Sequence, residues 1–216
     1  MKQYIVWDWN GTLLDDLELC VKIVNEMLIE ENVAPFSSIA AYQEVFQFPV
    51  IEYYRKAGFD FEKTSFQELA ARYMERYQPQ SLHCSLHQDT ETVLNTISNL
   101  CKGQFLLSAS QRSFLNEQLS QYEIQHYFLD IFGLDNYYAK SKQALAKQLM
   151  TQYQLAKEEV LFIGDSVHDF EVASSVGCDC VLIAKGHESR RKLELCGCQV
   201  YDDLNEFLEN FLCGAL

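Results

Sequence analysis

The chain has 216 residues, 48 % hydrophobic and 22 % charged, a globular composition that excludes an intrinsically disordered chain. Seventeen basic against thirty-one acidic side chains leave a net charge of −14, which argues against partners that need clustered Lys and Arg, such as nucleic acid or anionic lipid. Small anions stay compatible with that balance, because backbone N–H groups and a bound cation reverse the field inside a pocket.

The first element is the apolar run Tyr4-Ile5-Val6-Trp7-Asp8, halted by Asp8 and by Asn10-Gly11-Thr12. It reads as a buried parallel strand entering a tight loop. Helical periodicity follows over residues 17 to 31, with Leu19, Ile23, Val24, Met27 and Leu28 near one face. Residues 36 to 77 are rich in aromatics and divide into short helices at Pro49, Gly58 and Lys63-Thr64-Ser65, with Pro79 closing the region. Residues 15 to 83 are therefore expected to form an all-helical insert with its own small core.

From Gln88 helices and strands alternate. A helix over 88 to 101 precedes a strand over 104 to 108, and a helix over 111 to 121 follows. The apolar stretch Ile131-Phe132-Gly133 leads to a helix over 141 to 154, then to the strand Val160-Leu161-Phe162-Ile163 ending at Gly164-Asp165. A helix over 168 to 175, a strand over 180 to 184, a short strand at Gln199-Val200 and a helix over 203 to 212 complete the chain. Repeated strand–helix units with near-continuous apolar strands imply an α/β fold, a doubly wound parallel sheet with helices on both faces. Residues 1–14 and 84–216 are expected to form this core, and 15–83 the helical insert.

No apolar run approaches the roughly 18 residues of a membrane span. The opening residues lack the apolar segment of an export signal, so a cytoplasmic protein, a monomer or dimer without membrane or nucleic-acid partners, is expected. Cys213-Gly214-Ala215-Leu216 resembles a prenylation box, but Gly214 is not aliphatic and the preceding segment is acidic, so lipidation is not expected. Eight cysteines without a secretory signal read as reduced, mostly packed thiols. The pairs Cys178-x-Cys180 and Cys196-x-Cys198 have a spacing unlike zinc knuckles, and core packing is the expectation for them. His83, Cys84 and His87 are read as a polar linker rather than a metal site.

In open parallel sheets the reactive crevice lies at the carboxyl ends of the strands, and three polar signals fall there. Asp8 ends the first strand, ahead of a loop whose Gly11 permits close approach of backbone to an anion. Ser108 ends another, where its hydroxyl can donate to a phosphate oxygen. Gly164-Asp165-Ser166-Val167-His168-Asp169 ends a third, with two carboxylates four residues apart as a helix begins. Carboxylates so placed can share a hard cation such as Mg2+.

With these residues in place the chain resembles the haloacid dehalogenase superfamily of phosphotransferases. The family's DxDGT motif stands as Asp8-Trp9-Asn10-Gly11-Thr12, its strand ending in Ser or Thr as Phe105-Leu106-Leu107-Ser108, and GDxxxD as Gly164 to Asp169. The motif lysine is matched by Lys142, with Lys140 as runner-up. The resemblance spans nearly the whole chain, and the insert sits where members with a helical cap carry theirs. It looks closest to the phosphoglycolate-phosphatase-like branch. The resemblance implies a Mg2+-dependent phosphatase of small phosphorylated metabolites, with Asp8 as nucleophile forming an aspartyl-phosphate. It further implies metal held by Asp8, the Asn10 backbone carbonyl, Asp165 and Asp169, and phosphoryl oxygens held by Gly11, Thr12, Ser108, Ala109 and Lys142.

One position departs from the pattern. The family's second aspartate, which protonates the leaving oxygen and then activates water, is Asn10 here. An amide does neither, and general acid–base help is worth ~100–10,000-fold. Alkyl esters should suffer most, aryl or acyl phosphates least. Ion-pumping ATPases carry Thr at this place and phosphonoacetaldehyde hydrolases Ala, so two alternatives stand beside the phosphatase: a weak, phosphate-binding regulatory protein, and phosphonate chemistry using Lys56 or Lys63 for a Schiff base. Among smaller signals, Asn10-Gly11-Thr12 also fits a glycosylation acceptor and is set aside as part of the loop. His168 is expected at the surface or at the start of a helix, Arg55 and Lys56 in solvent, and one or two of Phe46, Phe48 and Tyr53 facing the cleft.

Overall fold

The computed structural model describes residues 2–134 and 141–214. Its core is a six-stranded sheet in the order β5-β4-β1-β6-β7-β8, parallel throughout. These strands are β1 (Tyr4–Trp7), β4 (Gly103–Gln111), β5 (Asp130–Leu134), β6 (Val160–Gly164), β7 (Asp179–Ile183) and β8 (Gln199–Tyr201). Central β1 pairs with β4 from Tyr4↔Gly103 and with β6 from Tyr4↔Val160. The two neighbours of β1 are reached by crossovers in opposite directions, so the carboxyl end of β1 lies at the point where strand order reverses, the usual location of a ligand crevice.

Successive side chains of a strand point to opposite faces, and β1 divides accordingly. Ile5 and Trp7 pack with α5 (Thr90–Leu100), α6 (Arg112–Leu119) and α10 (Leu204–Leu212) through Leu94, Leu115 and Phe207. Val6 packs on the other face with α7 (Lys142–Gln152) and α8 (Val167–Ser175) through Leu145, Leu149 and Val172. Both faces of the sheet are thus covered, which is why its strands carry almost no polar residues before their ends.

The helical segment comprises α1 (Leu17–Glu30), α2 (Ile39–Val45), α3 (Val50–Ala57) and α4 (Phe66–Ser81). They pack about a third cluster built on Val24, Met27, Leu28, Tyr54 and Leu69. Where the chain passes between the two parts, β2 (Leu14–Asp15) pairs antiparallel with β3 (Ser85–Leu86), a ribbon too short to leave a periodicity in the sequence. His87 ties the same junction down through its backbone N–H, 2.9 Å from the Leu13 carbonyl.

Several elements differ from expectation. Strand β4 continues to Gln111 rather than stopping at Ser108, with a register irregularity between Leu107 and Gln111 that lets it pair with Leu134 on edge strand β5. Pro79 lies inside α4 instead of closing the region. It falls in the last turn, where few following N–H groups remain to be disrupted, and the buried Tyr77 and Ser81 anchor the helix on either side. The short α9 (Arg190–Glu194) adds Leu193 to the second cluster.

All eight cysteines are free; Cys178 and Cys180 are buried in the second core cluster, with Cys196 and Cys198 packed against it. Among the described residues no helix is long and apolar enough to cross a membrane. Lys140, Ala215 and Leu216 lie outside the described residues.

Candidate active site

Asp8 leaves the end of β1 with its backbone N–H donating to the Ile163 carbonyl at 2.8 Å, so the sheet itself sets its position. The chain then turns sharply: the N–H groups of Leu13 and Leu14 return to the Trp9 carbonyl at 3.0 and 2.9 Å. Trp9 is buried against the core and its indole N–H donates to Gln118 at 3.1 Å, which fixes the loop. Gly11 sits at φ +72°, and a Cβ there would come 2.4 Å from an Asp165 carboxylate oxygen. Glycine is required on both counts, backbone conformation and close approach.

Lys142, at the first turn of α7, is only 6 % exposed. Its ammonium donates to Asp8 and, at 2.5 Å, to Asp169. Burial pulls the Lys142 pKa down, but Asp169 and Asp8 outweigh burial and hold the ammonium above its usual range. Asp169 is also spent on its own helix: its second oxygen accepts from the Ser166 hydroxyl at 2.6 Å and N–H at 3.1 Å, a reciprocal cap of α8. Asp165, ending β6, accepts the His187 backbone N–H at 2.6 Å and the Thr12 hydroxyl at 3.4 Å.

Carboxylate oxygens of Asp8, Asp165 and Asp169 lie within 4.8 Å of one another. Burial pushes Asp8 up to about 8 against the pull of Lys142, with Asp169 and Asp165 reinforcing the rise. Asp165 is pushed up to about 7, by burial first and by Asp169, despite His187. Asp169 is the exception, because Lys142 and Ser166 overcome its burial and hold it low. Three buried carboxylates facing one ammonium are under-compensated. Their oxygen-only donor set fits a hard divalent cation, whose charge would favour the ionised form of Asp8 and Asp165 beside the already ionised Asp169.

Beside this cluster lies a second network. The Asn10 side-chain amide donates to Asp16 at 2.9 Å and to the Tyr77 hydroxyl at 2.6 Å, while its oxygen accepts from the Ser110 hydroxyl at 3.1 Å. Tyr77, from α4, itself donates to Asp16 at 2.6 Å. Asp16 is 1 % exposed and further accepts the Gly11 N–H at 3.0 Å and the His187 ring at 3.1 Å. His187 completes the chain with its other nitrogen 3.0 Å from the Tyr42 hydroxyl. Burial would raise Asp16, yet His187 and the hydrogen bonds hold it down at about 2. Burial would lower His187, yet Asp16, Asp165 and Asp8 lift it to about 9. The two shifts agree on one arrangement, a buried carboxylate–imidazolium pair.

All of these groups open onto one cavity of about 560 Å3 between the strand ends and the helical segment. Asp8, Asn10, Ser108, Ala109, Lys142, Asp165 and Asp169 line it; Gly11 and Thr12 lie directly behind in the loop. Phe46 and Phe48 face the cavity, whereas Tyr53 is buried in the helical core. His168 stands in the first turn of α8, as expected of a helix-start residue, and also faces the cavity with its ring stacked on Phe48 at 4.7 Å. Among the described residues Lys142 is the only lysine or arginine lining the cavity; Lys63 pairs with Asp60 and Lys56 with Gln47, both in solvent, as does Arg55 with Glu52.

Asp16, Tyr77, His187 and Tyr42 were not singled out by the sequence. His87, in the connection between β3 and α5, also supports the loop, with a ring nitrogen 3.1 Å from the Gly11 carbonyl. For His187 a signal existed: Gly186-His187 follows directly beyond the carboxyl end of β7, where the strand-end rule places ligands. Tyr77 and Tyr42 were hidden in the aromatic content of the helical segment.

A family model described as "Haloacid dehalogenase-like hydrolase" matches residues 5–183. A phosphoglycolate phosphatase of Vibrio parahaemolyticus is 30 % identical over 123 residues, 55 % of this chain and 54 % of that protein. One of Photobacterium profundum is 36 % identical over 75 residues, 34 % of this chain and 33 % of that one. The chain therefore spans about half the length, or less, of these curated relatives. Among solved structures, a haloacid dehalogenase-like family hydrolase from Streptococcus pneumoniae superposes with a TM-score of 0.82 at 19 % identity, covering 97 % of this chain and 98 % of that one. A predicted phosphoglycolate phosphatase from Haemophilus somnus gives 0.76 at 18 % identity, with 97 % and 98 % covered. At such identities the likeness is one of fold.

Proposed function

This chain belongs to the haloacid dehalogenase-like hydrolase family, and from that premise we propose that it is a Mg2+-dependent phosphatase acting on small phosphate monoesters through Asp8. The observation that carries the reading is the convergence of Asp8, Ser108, Lys142 and Asp165 on one cavity at the carboxyl ends of adjacent strands. The phosphoglycolate phosphatases among the relatives support the same class.

Mg2+ would be held by Asp8, the Asn10 backbone carbonyl and Asp165, with Asp169 one step removed, and it would supply charge neutralisation between nucleophile and phosphoryl group. An oxygen of Asp8 attacks phosphorus in line, the bond from phosphorus to the ester oxygen breaks, and the leaving oxygen keeps the electron pair. Lys142 aims Asp8 and opposes its neutralisation by burial, while the Ser108 hydroxyl receives a phosphoryl oxygen; the Gly11 and Thr12 N–H groups are already engaged by Asp16 and by the Leu14 and Trp9 carbonyls. Water then attacks phosphorus of the aspartyl-phosphate, which releases inorganic phosphate and regenerates Asp8. The leaving oxygen receives no proton from Asn10, whose amide is engaged by Asp16, Tyr77 and Ser110. Turnover should accordingly fall steeply as the leaving alcohol becomes less acidic.

Phosphate release from acetyl phosphate and p-nitrophenyl phosphate, with and without Mg2+, tests the reading. Release that needs Mg2+ and disappears in Asp8→Asn supports it; no release from either ester overturns it. The engaged amide of Asn10 favours one second reading, a phosphate-binding protein with negligible turnover. That reading predicts binding of inorganic phosphate without hydrolysis of any ester.

A further inference from the structure

Besides the strand ends, the cavity is lined by the helical segment and by α6. Their surface there comes from Phe46, Phe48, Val50, Tyr73, Met74 and Phe114. Phe46, Val50 and Tyr73 pack against the helical core with one side and line the cavity with the other, and Phe48 and the 38 % exposed Met74 add apolar surface to it. The rings are already arranged in stacks: Phe48 on His168 at 4.7 Å, Phe46 on Tyr42 at 5.4 Å, Tyr73 on Tyr77 at 5.6 Å. Of the charged groups that line the cavity beside these rings, Asp16 is paired with the His187 imidazolium, and Glu75 is the remaining acid, so among the described residues no unpaired cation is offered to an anionic leaving group there.

The volume gives the same answer. About 560 Å3 falls within the ~300–1,000 Å3 of sites for drug-sized ligands, far more than a phosphoryl group on a two-carbon acid occupies. In-line attack by Asp8 directs the leaving group away from Asp8, into the remainder of the cavity that these residues line. Chemistry converges with shape, because Asn10 offers no proton and a phenol ionises near ~10, well below an alkyl alcohol.

We infer that the substrate is a phosphate monoester whose leaving group is an uncharged aromatic alcohol, its ring seated among Phe46, Phe48, Tyr73 and Met74. The inference rests on the phosphatase reading but adds a substrate class that differs from the anionic glycolate of the relatives' names.

Two measurements on the full chain with Mg2+ separate this inference from the reading beneath it. The first is binding of phenylphosphonate against methylphosphonate, inert probes that need no turnover. Phenylphosphonate should bind about tenfold tighter, about 1.4 kcal/mol. In Phe48→Ala and in the surface-exposed Met74→Lys that ratio should shrink severalfold. The second is hydrolysis of benzyl against ethyl phosphate, two alkyl leaving groups that differ in the ring, with phenyl phosphate and phosphoglycolate alongside. Benzyl should exceed ethyl about tenfold in kcat/KM, and phenyl should exceed both.

Equal binding of the two phosphonates, or preference for phosphoglycolate over the aromatic esters, overturns the aromatic class. Hydrolysis of acetyl phosphate with no ring preference removes this inference alone. A retained preference for phenylphosphonate without turnover of any ester removes the phosphatase reading and leaves the aromatic site standing.

Discussion

The side-chain amide of Asn10 donates to the carboxylate of Asp16 across 2.9 Å, and both are clamped by the hydroxyl of Tyr77. The carboxylate that the family pattern places at position 10 thus has its nearest counterpart at position 16, beside rather than within the strand-end loop. The pair makes Asn10 more than a missing acid: its N–H groups satisfy a buried charge.

Restoring the aspartate alone should therefore fail. Asn10→Asp replaces a donor to Asp16 by a second carboxylate, with two like charges in one buried site. We expect a loss of ~2 kcal/mol in urea unfolding from the unpaired acceptors. No gain with alkyl esters should accompany it. The exchange Asn10→Asp with Asp16→Asn restores one donor and one acceptor, and a double-mutant cycle should return a favourable coupling of ~0.5–3 kcal/mol.

Stability should follow the Asp16–His187 pair with pH. His187 is lifted from 6.5 to about 9, so its contribution is complete below 6.5 and lost as pH rises through about 9. Asp16 is held at about 2 against 3.8, so its contribution is complete above 3.8 and lost as pH falls through about 2. Between those limits the wild type should be most stable. His187→Gln keeps a donor toward Asp16 but no charge. Its unfolding free energy should lose the decline between pH 6.5 and 9 that the wild type shows, on the order of 3 kcal/mol.

Mg2+ should stabilise the fold through Asp8 and Asp165. Saturation at ~100 times Kd corresponds to ~2.7 kcal/mol, a rise in Tm of a few degrees that a chelator reverses. Asp165→Asn should abolish the shift. Lys142→Met, which leaves the three carboxylates without their ammonium, should lower Tm in chelator and enlarge the shift on adding Mg2+. An unchanged Tm in wild type under saturating Mg2+ would sink the cation assignment.

Gly11→Ala is expected to disable the site without unfolding the core. Beyond the ~1–2 kcal/mol that a Cβ costs in a left-handed backbone, the methyl would lie 2.4 Å from Asp165 and 2.6 Å from the His187 ring. Either Asp165 or the loop has to move. The measurement is Mg2+ affinity by calorimetry beside the unfolding curve, and affinity should fall further than stability.

Much of this protein was legible in one dimension. Asp8, Ser108 and Asp165 each end a run of apolar residues, and a buried parallel strand announces itself by such a run. Once strands alternate with helices, topology brings their carboxyl ends together, so those residues could be assigned to one crevice without coordinates. Lys142 came only from the likeness to the family's motif lysine, with Lys140 beside it as runner-up. By contrast, β2 and β3 are two residues long and carry no pattern, and the extension of β4 to Gln111 depends on its pairing with Leu134.

The sequence by itself determined the sheet, its switch point and the charge cluster on it, because all three follow from local hydrophobic runs and the residues that stop them. Only the tertiary structure decided what surrounds Asn10. Asp16 meets Tyr77 across 61 residues and His187 across 171, contacts made only when the helical segment is docked over the strand ends. The ionisation of that pair and the aromatic lining of the cavity are products of burial and of facing surfaces. Neither quantity exists in a chain until it is folded.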